Sequence, residues 1–386
     1  MDENQLRRLW ESLDQFAIYG ELETVEPFGR GHINSTFRSR WNQAGTRVRY
    51  THQRINERVF VRPDQMMENI SRLTCHIAEK LQDLPDRSRR VLSVVPSRDG
   101  KPYVRDSEGG WWRTYLFIEG AHTLEAAASL EDARFLGASV GRFQQQLADL
   151  PPPRLHETIP DFHNMEKRYS RFYEAVSKDP CGRAKETAAE IAFMRENEER
   201  GAVLIRALRD GVIPERICHN DAKMNNILIE DNSNTNDTVG EEYPVSCVLD
   251  LDTVMPGTSL FDAGDLIRTV TNRAEEDERD LSRVQFDPGL FEALIGGYLS
   301  GAPLLLPAET ALIAESGRNI TQIMALRFLT DYLEGDHYYH TARPGHNLDR
   351  CRNQIALIKS MDSQWQAILD TAASLVERNA AMPAPH

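Results

Sequence analysis

Residues 217–229, Ile217-Cys218-His219-Asn220-Asp221-Ala222-Lys223-Met224-Asn225-Asn226-Ile227-Leu228-Ile229, decide the reading of this chain. After a polar stretch comes Val248-Leu249-Asp250-Leu251-Asp252. The pattern is H-x-D-x-K-x-x-N, a strand, a polar turn, and a second strand ending in Asp. Phosphoryl transfer asks for a carboxylate that orients an acceptor hydroxyl and takes its proton, and for oxygen ligands that hold Mg2+ against nucleotide phosphates. Asp221 suits the first role. Asn226 and Asp250 suit the second, because Mg2+ keeps waters and phosphate oxygens in its shell and takes few ligands from protein. An isolated H-x-D near a strand end is ordinarily a hydrogen-bonded structural pair; the following Asn and the β–turn–β–Asp shift the reading to chemistry. Asp252 is either a second metal ligand or a solvated neighbour of Asp250.

Outward from this stretch, the N-terminal part reads as strands, one helix, then more strands. Leu6, Leu9, Trp10, Leu13 and Phe16 space out a short amphipathic helix. Two β-rich runs, Ser35–Trp41 and Arg47–Ile55, flank the turn Asn42-Gln43-Ala44-Gly45. A helix is predicted over Pro63–Leu81, then strand-like Val91–Val95, Pro102–Arg105 and Trp111–Ile118. Beyond Gly120 the periodicity predicts helices over 129–150, 162–176, 183–210, 307–334 and 348–378, interrupted by the β block from Ile217 to Leu251. Two domains are expected, residues 1–118 and 119–386. Glu230–Glu242 is polar, as a surface loop between two strands would be.

Composition narrows the partners. Of 386 residues, 45 are Lys or Arg and 59 Asp or Glu, a net charge of −14 with no basic block, which argues against nucleic acid. No apolar run approaches the ~18 residues of a membrane span. No signal peptide is read at the N-terminus, so the cytosol is the expected compartment. The five cysteines are scattered and never form C-x-x-C, so they read as buried reduced thiols, without a zinc site. Oligomeric state has no sequence signal. Gly29-x-Gly31-x-x-Asn34, between two β-like runs, lets backbone amides approach phosphates, or is a plain turn. No G-x-x-x-x-G-K-[ST] occurs, which excludes a P-loop kinase.

The sequence resembles the aminoglycoside phosphotransferase and choline kinase-like family of the protein-kinase fold, and within it the N-acetylhexosamine 1-kinases. The resemblance runs through most of the chain. It is carried by the catalytic segment, Gly29–Asn34, Gln53–Asn56, Met67–Ile70, His156–His163, Asp250–Gly257 and Arg327–Leu333. It implies an α+β, two-lobed protein-kinase-like fold, an antiparallel β-sheet N-lobe and a mainly helical C-lobe. ATP and Mg2+ are the implied cofactors, and a small sugar the acceptor.

Residue by residue, the resemblance implies Asp221 and Lys223 as catalytic, with Lys223 balancing charge near the transferred phosphoryl group and His219 bracing the loop. Gly29, Gly31, Asn34, Arg54 and Glu68 fall on the nucleotide side. Protein kinases pair a strand Lys with a helix Glu; here Arg54 stands in the strand, so an Arg54–Glu68 pair is expected, the alternative being a surface ion pair. Asp161, His163, Arg327 and Asp331 are the acceptor candidates. Arg327 and Asp331 share a helix face; such a pair either meets sugar hydroxyls or forms a solvated salt bridge. Asp161 and His163 either face the sugar or cap a helix. Asp262 and Asp265 match the acids that tie down the catalytic loop. The competing readings are a kinase of another acceptor, such as an aminoglycoside, choline or a different sugar, and a nucleotide-binding pseudokinase.

Overall fold

The structure is a computed structural model and describes residues 3–29, 33–231 and 246–381. By internal contacts the chain forms two units. The first comprises Met1–His122, Asp149–Pro160 and Leu228–Met255; the second comprises Thr123–Ala148, Asp161–Ile227 and Pro256–His386. Residues 149–160, 228–231 and 246–255, expected with the helices, therefore belong to the sheet-bearing unit. Part of the reason is on helix Pro63–Lys80: Arg72 donates to Pro151 O and Pro153 O, and Asn69 donates to His156 O.

The first unit is built on five strands, β1 (Glu21–Pro27), β2 (Ser35–Gln43), β3 (Thr46–Arg54), β4 (Val104–Arg105) and β5 (Trp111–Leu116), in the order β1-β2-β3-β5-β4. Every neighbouring pair is antiparallel. The β2–β3 hairpin closes on Ala44-Gly45, with Gln43 opposite Thr46. Both loop residues have positive φ, 52° and 92°, the turn hand that matches strand twist and that Gly adopts without strain. The Asn42 side chain accepts from Gly45 N at 2.8 Å.

Alternation then assigns the faces. Phe37, Tyr50 and Trp112 bury one face together with Leu9, Leu13 and Phe16, which come from and follow helix Glu3–Leu13. The other face meets helix Pro63–Lys80, whose Met67 Sδ lies 4.0 Å from Arg113 Nη1 on β5. Pro63 begins that helix where a missing N–H costs nothing. The chain continues through β6 (Ala121–Thr123), β7 (Arg216–Cys218), β8 (Ile227–Glu230) and β9 (Ser246–Val248), of which β6, β8 and β9 form a second sheet in the order β6-β8-β9.

The second unit is mainly helical. Helices Leu130–Leu147 and Pro288–Gly301 touch main chain to main chain: a Cβ on Gly137 would stand 2.1 Å from Leu294 O, and one on Gly297 2.0 Å from Arg134 O. Gly141 and Gly301 continue this seam. Replacing Gly297 with Ala forces the helices apart and is expected to cost about 2–3 kcal/mol of stability, read by urea denaturation. A change under about 0.5 kcal/mol would show that the seam is not close-packed.

The structure departs from the sequence reading in four places. Helices Ser259–Val270 and Pro288–Gly301 carry no readable stripe, because the first is buried on nearly every side and the second is apolar nearly all round. The helix expected over 183–210 is three pieces, Ala188–Glu196, Glu198–Gly201 and Val203–Arg209. The first break falls at Asn197, whose amide donates to Phe193 O at 2.8 Å and whose carbonyl accepts from Gln322. The stretch 348–378 is likewise broken at Gln364. Cys218, Cys247 and Cys351 are buried, but Cys75 and Cys181 are exposed thiols. No helix among the described residues is long and apolar enough to cross a membrane.

Candidate phosphotransfer site

In the helical unit, β7 delivers the segment His219–Asp221 to a loop held from three sides. Asp262 on helix Ser259–Val270 accepts from His219 N (2.9 Å) and Gln144 Nε2 (2.7 Å) through Oδ2, and from Asn220 N (2.7 Å) through Oδ1. Burial pushes its carboxyl up, against these donors. Asn220 sits in the left-handed region at φ 63°, a conformation that must be held in place from outside. Its side chain donates to Cys218 O (3.0 Å), and its own carbonyl accepts from His163 Nε2 (2.8 Å). His163 is buried between Phe162 and Phe261, each 4.7 Å away centroid to centroid, and burial lowers its pKa to about 3. A neutral ring with its proton on Nε2 is therefore a brace for the loop.

Asp221 follows, part-buried. Its Oδ2 lies 3.0 Å from Lys223 Nζ, and Asn226 Nδ2 donates to its carbonyl (2.8 Å) and to Oδ2 (3.2 Å). Burial alone would raise the carboxyl; the charges of Lys223 and His219 and the Lys223 hydrogen bond outweigh it and hold Asp221 below the usual carboxylate range. At neutral pH it is an anion able to accept a proton. With its amide nitrogen turned to Asp221, Asn226 keeps an oxygen that accepts no hydrogen bond among the described residues, a hard donor of the kind Mg2+ takes. Asp265 is committed to a buried pair with Arg268, Nε to Oδ1 2.8 Å.

The same unit contains a pocket lined by Arg168, Arg171, Arg327, Asp331, Tyr338 and Tyr339, among others. The Arg327 guanidinium stacks over Phe162 (4.7 Å), Tyr339 (5.4 Å) and Tyr338 (5.6 Å). Asp331 does not fork outward with it. Both Asp331 oxygens are taken by His337 N (3.0 Å), Tyr338 N (2.8 Å), Tyr339 N (3.0 Å) and Asn347 Nδ2 (2.9 Å), so this carboxylate shapes the loop at 337–339. Asp161 holds Asn164 Nδ2 (3.0 Å) and Lys167 Nζ (2.7 Å), while Asn164 rather than Asp161 caps helix Met165–Lys178.

In the sheet unit, Asp250 is left-handed at φ 54° and precedes the short turn Leu251–Thr253. Asp252 is neither solvated nor open to a metal. Its Oδ1 is ion-paired with Arg113 in full burial and its Oδ2 accepts from Asn34 Nδ2 at 2.7 Å. Asn34 in turn accepts from Asn56 N at 2.9 Å. Burial works against the Arg113 charge, but Asp252 more than offsets it and its pKa stays above the ordinary range. Gly29 is left-handed at φ 80°; Gly31 lies outside the described residues.

The expected Arg54–Glu68 pair does not form. Register places Arg54 opposite Trp112 and Gln53 opposite Arg113, so Arg54 points to the face away from helix Pro63–Lys80. It leans toward Asp106 at 3.9 Å, and Glu68 pairs with His156 at 3.1 Å. The buried cation on the helix-facing side is Arg113, hydrogen-bonded to Gln53 at 2.9 Å. Sequence reasoning passed over it, although an Arg inside Trp111-Trp112-Arg113-Thr114-Tyr115-Leu116 is a residue that strand burial tolerates only when paired. Arg168 and Tyr339 were passed over too, and neither carries a local signal.

Solved structures share this fold at low identity. An aminoglycoside phosphotransferase from Alicyclobacillus acidocaldarius matches with TM-score 0.54 and 14% identity over 96% of both chains. Spectinomycin phosphotransferase, solved with ADP and spectinomycin, matches with TM-score 0.53 and 12% identity over 98% of this chain and 99% of that one. Choline kinase from Cryptosporidium parvum matches with TM-score 0.53 and 13% identity over 92% and 93%. The fold is thus the α+β kinase-like one, and with the profile of the phosphotransferase enzyme family matching residues 24–304, the chain belongs to that family.

Proposed function

We propose that the protein transfers the γ-phosphoryl group of ATP to the anomeric hydroxyl of an N-acetylhexosamine, giving the sugar 1-phosphate and ADP. The observation that carries the choice of acceptor is the charge of the pocket beside the catalytic loop. Arg168, Arg171 and Arg327 face Asp331 and Glu334, three cations against two anions, and the Asp331 charge is already spent on loop amides. Such a wall repels polycationic aminoglycosides and quaternary ammonium groups. It suits the hydroxyl and acetamide oxygens of a neutral sugar, which accept from guanidinium and phenol groups, with tyrosine rings against the sugar faces.

In this reading Asp221 accepts the hydrogen bond of the anomeric hydroxyl and takes its proton as the oxygen attacks in line. Lys223, 3.0 Å from it, keeps the carboxylate ionised before transfer and offsets developing charge afterwards. Mg2+, when bound, neutralises charge on the nucleotide phosphates, and Asn226 and Asp250 are the residues that offer it oxygens. On the nucleotide side, Gly29, Gly31 and Asn34 form the segment assigned to the phosphates, and nucleotide use is supported by the ADP held by the spectinomycin enzyme.

The test is 31P NMR of the protein with ATP and Mg2+ and, separately, N-acetylglucosamine, N-acetylgalactosamine, kanamycin and choline. An anomeric phosphate doublet with either amino sugar is the expected result. Transfer only to kanamycin or choline would overturn the acceptor, and transfer to none would overturn the sugar kinase itself.

A further inference from the structure

Two guanidiniums meet in a pocket that Asp331 and Glu334 also line. Arg168 donates through Nε (3.3 Å) and Nη2 (2.9 Å) to Phe162 O, which leaves further N–H groups for the cavity it lines. Arg327 donates to Tyr338 Oη at 3.5 Å and to Met324 Sδ at 3.6 Å. Among the described residues neither forms an ion pair. Burial, and after it the charge of Arg327, lower Arg168 to about 10, whereas at Arg327 burial is outweighed by Tyr339, Tyr338 and Asp221, which hold it above its ordinary range, so both groups are cations at neutral pH. The third group is Tyr339. Its hydroxyl is buried and finds no hydrogen-bond partner among the described residues, and burial pushes its pKa up, so it keeps its proton as a donor. The main chain that carries Tyr338 and Tyr339 is fixed by Asp331.

Unpaired donors and like charges are costly to bury unless something answers them. A neutral sugar satisfies hydrogen bonds but not the charge, whereas a phosphate oxyanion satisfies both, through the fork geometry of guanidinium and one phenolic donor.

We propose that Arg168, Arg327 and Tyr339 form a phosphate subsite inside the pocket, which takes free inorganic phosphate or the phosphate of a sugar 1-phosphate in competition with the neutral acceptor. This rests on reading the pocket as the acceptor site, but the binding itself requires no turnover. It makes the product, and cellular phosphate, inhibitors against the sugar.

Calorimetric titration of the full chain, without nucleotide and at constant ionic strength in chloride, tests it with inorganic phosphate and, separately, N-acetylglucosamine 1-phosphate. Both are expected to bind, and Arg168→Gln to weaken each by about tenfold or more. Tyr339→Phe should weaken them in the same direction, and phosphate should raise the KM for the sugar. Binding of the sugar phosphate alone would assign the subsite to the product; binding of both would assign it to phosphate in general. Absence of binding by both, or unchanged affinity in a folded Arg168→Gln, overturns the subsite. If thermal melting shows Arg168→Gln unfolded, Tyr339→Phe decides alone, and unchanged affinity there overturns it equally. Phosphate binding in a protein that phosphorylates no sugar would refute the acceptor assignment and leave the subsite standing.

Discussion

Asp221→Asn is expected to lower kcat by a factor of about 10²–10⁴ while leaving nucleotide affinity within about twofold. The amide is nearly isosteric and keeps an oxygen toward Lys223 and Asn226, so the loop pinned by Asp262 and His163 retains its shape. What it loses is the ability to take a proton. The variant should melt close to the wild type, because the interaction it alters, a part-exposed Lys223 contact, is worth at most about 1 kcal/mol. Steady-state kinetics with a calorimetric nucleotide titration read both halves. A near-normal kcat would remove Asp221 from the chemistry, and a matching loss of nucleotide binding would recast it as structural.

The second large effect is on stability. Arg113→Met leaves the Asp252 carboxylate buried beside Asn34 with no cation, and breaking a buried pair from one side costs about 3–5 kcal/mol. The double variant Arg113→Met with Asp252→Leu should recover a good part of that loss, since replacing both partners removes the stranded charge. Chemical denaturation of the two variants measures the difference. Equal destabilisation would mean that packing around Arg113, against Met67 and Tyr115, matters more than charge.

These two residues also show how far the sequence could be read. The placement of Asp221 after a strand and beside Lys223 and Asn226 was legible because these residues lie within a dozen positions, where spacing alone encodes geometry. The hairpin at 42–45 and helix Pro63–Lys80 were legible for the same local reason. Arg113 was not, because choosing between it and Arg54 requires the β3–β5 register, which pairs residues about sixty positions apart and sets which face each side chain takes. Asp331 was misread as reaching outward because its partners are main-chain N–H groups of a loop whose path periodicity does not describe. The helices at 259–270 and 288–301 escaped because complete burial erases the stripe by which a surface helix is recognised.

That grip of Asp331 on main-chain N–H groups has an evolutionary corollary. A carboxylate that holds peptide groups is indifferent to the side chains attached to them, so residues 337–339 can be exchanged without losing the path of the loop. The scaffold thereby separates two kinds of heredity: a fixed anchor in the helix, and a short stretch free to drift. New acceptor preferences can then arise from single substitutions in that stretch, with no intermediate that must first survive a collapsed pocket.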